Sequence, residues 1–400
     1  GRRDDNLIYI ERLFKTLLWL KGGSKVFFSG PGYLGEHLKN EYRVGGKREF
    51  DAVFMGKIFG SEFNVIITDR SGIPAENEGS RAIGGHLGGC RIGFDAGGSD
   101  RKVSAVVDGV AIYSEEVDWQ PKLSEDPQYQ YDGILDSMRS AASKMERVDA
   151  IGISAAGVYI DNEVRASSLF IKVPPGLFDA RVRRIFFDIA NEMGGIPFEI
   201  ANDGDVTALA GAMSLNETGI LGIAMGTSEA GGYVNKEGLI TGWLNELAFV
   251  PLDYNAGAMV DEWAGDIGCG VKYLSQDGVI KLAENAGIEF REGLSPAGKL
   301  RIVQEMMDSG EIEAIRIFEG IGCYLGYAVA YYDEFYDIDH VLILGRVTSG
   351  PGGAIIVDNA KLVLEKEFPE LSGKIKISMP DEKARRVGQS VAAASLPEIK

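Results

Sequence analysis

The first candidate for chemistry is a glycine-rich turn that follows an acidic residue. Residues 94–99 read Phe-Asp-Ala-Gly-Gly-Ser at the end of a predicted strand, and Lys102 lies three residues further on. Two consecutive glycines let the backbone approach a ligand with its N–H groups exposed, and such amides bind phosphate. Asp95 would hold a hydrated Mg²⁺, which prefers one or two carboxylates together with phosphate oxygens. A tight hairpin turn explains the same residues, because an Asp-x-Gly-Gly sequence also suits that structure.

A second candidate is the pair Asn202-Asp203, which ends one predicted strand and directly precedes a predicted helix over residues 204–213. A carboxylate at this place could accept the proton of an attacking hydroxyl, which is the base role in phosphoryl transfer. An Asp before a helix is also a favoured N-cap. Asp205 could perform that capping equally well, which would leave Asp203 available as a base.

Two further glycine turns follow later in the chain. Gly226-Thr227-Ser228 comes directly after an apolar strand and precedes another pair of glycines, although a hairpin turn accounts for it as well. Residues 344–353 read Leu-Gly-Arg-Val-Thr-Ser-Gly-Pro-Gly-Gly between a buried strand and a predicted helix. Helix N-termini with small residues accommodate flat or anionic parts of ligands. Both turns are therefore candidate ligand contacts.

Alternating strands and helices must position these turns. The pattern after residue 90 predicts an antiparallel meander of three strands, followed by single strands that alternate with helices. The same plan of strand, glycine turn, strand and helix recurs after residue 220. The predicted strands are 91–94, 102–107, 110–116, 150–154, 197–201, 220–225, 231–235 and 341–344, and the predicted helices include 127–145, 178–192 and a closing helix over 382–395.

The first 90 residues follow a different pattern. Residues 30–35 match Gly-x-Gly-x-x-Gly, but no repeated strand–helix unit follows, so we interpret them as a plain turn between a strand and a helix. The segment lacks the two compact helices and the basic surface of a helix-turn-helix DNA reader. Its predicted elements are a helix over 7–21, a strand over 25–28, a helix over 33–43, strands over 51–58 and 62–68, and a glycine-rich hinge over 84–89.

The composition limits the classes of protein that this chain can represent. The 400 residues are 45% hydrophobic and 25% charged, which suits a globular protein of two to three domains. A net charge of −18 argues against nucleic acid or an anionic membrane surface as a partner. The three cysteines lack any Cys-x-x-Cys spacing, and no apolar run is long enough to span a membrane. We therefore expect a cytoplasmic protein without a disulfide framework.

In the order of these motifs, the chain resembles the superfamily of sugar kinases, actin and heat-shock ATPases. Within it, the sequence resembles the ROK family of repressors, open reading frames and kinases, over about residues 91–395. The resemblance implies an α/β, two-lobed ribonuclease H-like (actin-like ATPase) fold with an interlobe cleft, after an N-terminal α+β extension. The implied domains are 1–90, the extension; 91–203, the first lobe, with 381–400 packing back on it; and 204–380, the nucleotide-binding second lobe.

The resemblance also implies the site residues. It makes Asp203 the catalytic base, with ATP as cofactor and Mg²⁺ held through water by Asp95. At the sugar it places Asn202, Asn245 and Glu246. At the nucleotide it places Asp95, Gly97, Gly98, Ser99 and Lys102 in a first phosphate loop, Gly226 and Thr227 in a second, and Gly345, Gly350, Gly352 and Gly353 beside adenosine.

Two departures from the family pattern concern the sugar. Phe249 stands where the family has a histidine that binds both sugar and zinc, and Val271 stands where it has a sugar-binding glutamate. No histidine lies nearby, so we expect no zinc site. An unpaired substrate hydroxyl in a buried site is unfavourable by about 1–3 kcal/mol, so free glucose fits poorly. Arg165 and Lys172 could meet an anionic substituent of the sugar, although they would equally suit a solvated loop.

The resemblance therefore implies an ATP-dependent kinase that phosphorylates a hydroxyl of a sugar or sugar derivative other than free glucose. Its partners would be a small sugar and a nucleotide, and the protein would form a homodimer or a higher homo-oligomer. One alternative is a non-catalytic, sugar-binding regulator of the ROK type. Another is a chaperone-like nucleotide switch, which would not need Asn202-Asp203 or Glu246.

Overall fold

The computed structural model describes residues 2–75, 84–380 and 382–399, with the backbone alone for 382–387. Contacts within the chain divide it into two compact units. Unit 1 contains the described residues of Gly1–Gly79, Ile223–Gly231 and Gly242–Met379, and unit 2 contains those of Ser80–Gly222, Gly232–Thr241 and Pro380–Lys400. Among the described residues, no helix is both long enough and apolar enough to cross a membrane.

The N-terminal part of unit 1 contains three helices and a two-stranded sheet. Its elements are α1 (Arg2–Lys21), β1 (Lys25–Phe28), α2 (Gly32–Glu41), α3 (Glu49–Phe59) and β2 (Asn64–Ile67). The two strands pair in parallel, with Lys25 opposite Asn64. Residues 30–31 lie in the turn from β1 into α2 and residues 32–35 are the first turn of that helix, which agrees with the predicted passage from a strand into a helix.

The predicted strand over residues 51–58 is wrong, because this segment belongs to helix α3. Phe50 and Phe54, four residues apart, lie on one side of the helix and pack against Trp19, with ring centroids 6.1 and 5.0 Å from the indole. Phe50 and Phe54 thus form part of the packed side of a helix.

Unit 2 is built on a five-stranded sheet. Its elements are β3 (Cys90–Ala96), β4 (Asp100–Val107), β5 (Val110–Asp118), α4 (Gln128–Ala142), β6 (Ala150–Ala155), β7 (Val158–Ile160), β8 (Glu163–Ala166), α5 (Pro175–Leu177), α6 (Ile185–Glu192), β9 (Phe198–Asn202) and α7 (Asp203–Leu215). The strand order is β5-β4-β3-β6-β9. Strands β3, β4 and β5 form the predicted antiparallel meander, and β3, β6 and β9 run parallel.

The remainder of unit 1, with its adjoining strands, forms a second sheet with helices. Its elements are β10 (Ile220–Met225), β11 (Glu229–Val234), α8 (Gln276–Asn285), α9 (Pro296–Asp308), α10 (Ile312–Asp333), β12 (His340–Leu344), α11 (Pro351–Glu367), α12 (Pro369–Ser372) and β13 (Lys376–Ser378). The strand order is β11-β10-β12-β13. Helix α10 carries an apolar stripe that is buried at Phe318, Leu325 and Val329, and this helix packs along α11.

Helix α13 (Glu382–Ala394) packs on the sheet of unit 2. Gly93 of β3 and Gly152 of β6 lie opposite each other in register, directly beneath this helix. A Cβ atom at Gly93 would overlap the carbonyl oxygen of Ser390, and one at Gly152 would overlap that of Ala393. Only glycine lets the helix backbone come this close to the strands.

The two units differ from the predicted domains in two places. Residues 2–75 group with unit 1 and do not form a compact unit of their own. Helix α7, which we assigned to the second lobe, groups with unit 2 because it packs on α13 and because its buried Asp205 accepts a hydrogen bond from Tyr233 N, 3.2 Å away.

Candidate active site

The parallel strands of unit 2 bring three predicted site positions to one edge of the sheet. Asp95 lies next to the end of β3, opposite Ser154 of β6 in register, and β9 ends at Asn202 immediately before Asp203. We call the C-terminal ends of β3, β6 and β9 the carboxyl edge. In open α/β sheets, ligands bind outside the carboxyl ends of the strands.

Asp95 is buried at this edge and is held by two donors. Ser154 Oγ donates to Asp95 Oδ1 at 2.8 Å, and Gln389 Nε2 of helix α13 donates to the same oxygen at 3.3 Å. Burial, with a smaller contribution from the neighbouring negative charge of Asp203, raises the pKa of Asp95 to about 6. Lys102, directly opposite Asp95 on β4, lowers this pKa, but its ammonium group pairs with Asp100 at 3.2 Å.

Asp203 is the first residue of helix α7 and is partly buried. Burial raises the pKa of its carboxyl group, and the positive charge of Lys122 lowers it. The Gly204 N–H lies 3.1 Å from Asp203 Oδ1. A raised pKa makes the ionised carboxylate a stronger base, which suits it to accept a proton.

The capping of α7 differs from the prediction. Asn202 caps the helix, because its Oδ1 accepts from Gly204 N at 2.7 Å, while Asp205 bonds to Tyr233 N instead. Asn202 Nδ2 also donates to the carbonyl oxygen of Gly157 at 2.8 Å. The amide that we expected at the sugar thus holds the backbone that carries Asp203.

Trp119 fixes the first glycine turn, and the sequence analysis missed this residue. Its indole Nε1 donates to the carbonyl oxygen of Gly97 at 2.8 Å, and its backbone N–H donates to that of Ser99 at 3.1 Å. In a trans peptide the N–H points away from the C=O of the same unit. The N–H groups of Gly98 and Asp100 therefore point away from Trp119, as an amide site for phosphate requires.

In unit 1, the second and third glycine turns lie side by side because β10 and β12 are neighbours. A Cβ atom on Gly345 would overlap the carbonyl oxygen of Met225, the residue before Gly226. Gly226 O accepts from Gln276 N at 3.0 Å, and Gly345 O accepts from Thr348 Oγ1 at 2.9 Å. The structure therefore brings these two predicted contacts together.

A groove of about 460 Å³ lies beside the Gly345 turn. Its lining includes Ser295 and Arg301 of the α9 region together with Arg346 and Ser349. Gly350, Gly352 and Gly353 stand at the start of α11, where the side of Gly352 is covered by the ring of Phe318 and that of Gly353 by the carbonyl group of Thr348. Gly352 and Gly353 thus let the start of α11 pack closely against Phe318 and against the preceding turn.

The loops that we expected at the sugar are packed against the N-terminal helices. Phe249 lies against Trp19 and Phe50, with ring centroids 4.2 and 5.7 Å away. Asn245 is buried and its Oδ1 accepts from Tyr336 Oη at 2.9 Å, while Glu246 N donates to Trp19 O at 3.1 Å. These contacts give the segment a structural role.

The adjoining loop carries an apolar patch and a buried ion-pair cluster. Cys269, Val271 and Ala248 pack together with Phe249. Asp266 pairs with Arg12 at 2.7 Å, with Lys15 at 2.6 Å and with Arg48 at 2.5 Å. The nearby charges of Lys15 and Arg48 hold the pKa of Asp266 well below its usual range, against the effect of its burial. The ion-pair cluster comprises Glu11, Arg12, Lys15, Arg48, Asp51 and Asp266.

Glu229 is a buried acid that the sequence analysis did not single out. Tyr332 Oη donates to its Oε1 at 3.3 Å, and no described residue hydrogen-bonds to its Oε2. Burial raises the pKa of Glu229 to about 8.

Arg165, which we considered for an anionic substituent, pairs with Glu163 at 3.3 Å. In the part of the chain that the structure describes, no group of three or more His, Cys, Asp or Glu residues could hold a metal ion.

Solved structures with a similar architecture are found among known proteins, although sequence comparisons find none. No family model matches the sequence, and no curated protein matches it. Among solved structures, the chain is similar to the ROK hexokinase from Thermus thermophilus, with 18% identity and a TM-score of 0.59 over 76% of this chain and 97% of that one. A ROK family glucokinase from Streptomyces griseus, solved with glucose and AMPPNP, matches at 19% identity and a TM-score of 0.56 over 76% and 98%.

A ROK family transcriptional regulator, described as a homologue of the E. coli MLC protein, matches at 16% identity and a TM-score of 0.61. This match covers 97% of the chain and 96% of the regulator, so it includes the N-terminal residues. The fold is therefore the α/β fold of hexokinase-like, actin-type ATPases. Within that class, the likeness to these kinases and to the regulator supports the ROK resemblance inferred from the motifs.

Proposed function

We propose that this protein is an ATP-dependent kinase that transfers a phosphoryl group to a hydroxyl of a sugar or sugar derivative. The observation that carries the proposal is the carboxyl edge, where Asp95 and Asp203 lie close enough for one charge to raise the pKa of the other. Asp95 lies two residues before Gly97, at the start of a turn whose amide groups are oriented by Trp119. Phosphoryl transfer needs this combination of phosphate donors, a metal-holding acid and a base.

The residues at the carboxyl edge fit Mg²⁺ and ATP. Ser154 and Gln389 both donate to Asp95 Oδ1, so Oδ2 is the oxygen that would accept from a metal-bound water. The Gly98 and Asp100 amides would receive phosphate oxygens. Bound Mg·ATP supplies the transferable phosphoryl group and neutralises its charge.

The role of Asp203 follows from its position and its pKa. Because burial raises that pKa, the ionised carboxylate is a stronger base than an exposed one. Asn202 and the Gly204 N–H fix the first turn of α7, so the carboxylate stays in place while it accepts the proton of the sugar hydroxyl. Proton acceptance by a positioned group contributes about 10²–10⁴-fold to a rate.

The substrate we propose is a substituted sugar and not free glucose. Asn245 bonds to Tyr336 and Phe249 packs on Trp19, so two positions of the predicted sugar segment are engaged within the protein. Glu246 would be the remaining carboxylate of this segment that faces a hydroxyl. A sugar with a substituent, or without a hydroxyl, on that side leaves fewer groups unpaired.

The test is release of ADP from Mg·ATP by the full chain with a panel of single sugars and substituted sugars. We expect one substituted sugar to stimulate release well above the sugar-free rate, and glucose to stimulate it less. Best turnover with glucose would contradict the substrate proposal. No stimulation by any sugar would contradict the kinase.

A second candidate function is a sugar-binding regulator without catalysis. The supporting observation is the match to the ROK regulator over 97% of this chain, whereas the two kinases match 76%. A sugar that raises the melting temperature without stimulating ADP release would favour the regulator, because binding to the native state stabilises it whether or not chemistry follows.

A further inference from the structure

We propose that Lys122 is a further phosphate-binding residue, which places its ammonium group over the first glycine turn and contacts the phosphate oxygens that this turn holds. The inference rests on the proposed function, since that function puts phosphate at residues 97–99. Nothing in the sequence motifs pointed to this lysine.

The geometry places the lysine side chain directly above Gly98. A Cβ atom at Gly98 would lie 3.0 Å from Lys122 Cε and 3.1 Å from its Nζ. Gly98 therefore leaves the space that the end of the lysine occupies. The ammonium group consequently sits against the turn whose N–H groups Trp119 turns outward.

The backbone that carries Lys122 is fixed. Lys122 lies in a short 3₁₀ turn, Pro121–Leu123, three residues after Trp119. Buried Gln130 donates from Nε2 to the carbonyl oxygen of Pro121 at 2.8 Å and to that of Leu169 at 3.0 Å. The lysine thus starts from an anchored position and only its flexible side chain has to follow a ligand.

The charge of Lys122 is available, unlike that of Lys102. Lys102 pairs with Asp100 at 3.2 Å, whereas in the described part of the chain no carboxylate lies within 4 Å of the Lys122 ammonium group. Lys122 is exposed, and its charge acts on Asp203. It therefore stands close to both the phosphate turn and the proposed base.

Open space for a ligand lies beside the lysine. The lining of a groove of about 930 Å³ includes Gly98, Ser99, Asp118, Trp119, Lys122 and Tyr129. A group bound along the Gly98 and Ser99 backbone would meet the ammonium group at the edge of this groove. A cation paired with a phosphate forms a charge-assisted hydrogen bond, which is stronger than a neutral one.

The test uses inorganic tripolyphosphate with Mg²⁺ as the probe, titrated into the full chain by calorimetry at two salt concentrations. Lys122→Met keeps the length of the side chain and removes its charge. We expect it to weaken binding about three- to tenfold and to reduce the salt dependence, because one exposed charge contact is lost. Lys122→Arg should bind within about twofold of the wild type, since it keeps the charge.

Lys144→Met is the matched control, because Lys144 is an exposed lysine of the same unit that packs over Tyr113. It should leave tripolyphosphate binding unchanged. Equal binding by Lys122→Met and the wild type would overturn the inference, and so would a wild type that does not bind tripolyphosphate. Weakened tripolyphosphate binding in Lys122→Met, together with a wild type that no sugar stimulates, would retain the phosphate contact and overturn the kinase alone.

Discussion

Buried carboxyl groups have pKa values shifted in opposite directions at the carboxyl edge of unit 2 and in the ion-pair cluster of unit 1. Asp266 faces Arg12, Lys15 and Arg48, and its pKa is held well below the usual range. Asp95 and Asp203 lack such a set of cations, and burial raises the pKa of each. The acid that three close cations neutralise holds elements together, whereas burial moves the pKa of Asp95 and of Asp203 upward, which favours the exchange of a proton.

The largest effect that this comparison predicts is on stability. Asp266→Ala removes the carboxylate that three buried cations share, and although Lys15 keeps Asp51 and Arg48 keeps Glu11, we expect the free energy of unfolding to fall by about 3–5 kcal/mol in denaturant titrations. Because the folded-state pKa of Asp266 is lowered, its contribution is present above the unfolded value of about 3.9 and is lost as the pH falls further.

Glu262→Ala is the control for that variant. Glu262 is 75% exposed and pairs with Lys272, which keeps Asp277 as a second partner. This exposed pair should contribute about 1 kcal/mol or less. Equal losses in the two variants would remove the distinction between the ion-pair cluster and an ordinary surface pair.

The next largest effect is on turnover. Asp203→Asn should lower sugar-stimulated ADP release by about 10²-fold or more, because the amide cannot accept the proton, while the fold and ATP binding are retained. Asp136→Asn, at an exposed position of α4, serves as the control and should keep full turnover. Unchanged turnover in Asp203→Asn would refute the base assignment and with it the contrast drawn above.

A smaller effect concerns the donor to Asp95. Gln389→Leu removes one hydrogen bond to the carboxylate, so the pKa of Asp95 should rise above about 6, by less than about one unit. If turnover needs the ionised form, its acid limb moves to higher pH by that amount. The pH–rate profile of ADP release measures this shift, and Gln128→Leu on α4 should leave the profile in place.

The pH dependence of the free energy of unfolding provides a second measurement of the pKa of Asp95. Its folded-state pKa lies above the unfolded value, so its contribution is fully present below about 3.9 and is lost as the pH rises through about 6. Gln389→Leu should move the upper end of that interval to higher pH. An identical stability profile in the variant and the wild type would show that Gln389 does not act on Asp95.

The smallest effect is expected at Glu229 in acid. Below about pH 4 this group is uncharged in both the folded and the unfolded protein, so Glu229→Gln should change the free energy of unfolding by less than about 1 kcal/mol. Burial raises the folded-state pKa of Glu229 to about 8, so the wild type should lose stability as the pH rises from about 4.3 to about 8, and the variant should not. Parallel pH profiles of stability in the two proteins would show that the pKa of Glu229 is not raised.

Local sequence was sufficient to predict the glycine turns and most of the strands. Asp95, Gly97 and Gly98 were recognisable because a strand, an acid and two glycines are adjacent in the chain. The segment 51–58 was wrongly predicted to be a strand because the contact of Phe54 with Trp19, which favours a helix, comes from another part of the chain. Propensity over eight residues does not contain that contact.

Side chains that act on the site from a distance could not be found in this way. Trp119 lies 22 residues from Gly97 and Gln389 lies 294 residues from Asp95, and neither belongs to a motif. The sequence suggested Asp203 and Asp205 as caps of α7, but the structure has Asn202 in that role, and Asp205 accepts from Tyr233 N instead. Contacts of this kind follow from the packing of the strands and not from residue type and spacing.

The glycine pair under helix α13 has a consequence for how the chain folds. Gly93 and Gly152 lie on strands that emerge from the ribosome long before the helix that covers them, and 294 residues separate Asp95 from Gln389. At about 5–20 residues per second, that interval lasts about 15–60 s of translation. During this time α13 does not yet cover the strand backbone at Gly93 and Gly152. Asp95 therefore acquires its hydrogen bond from Gln389 only after that helix has been synthesised.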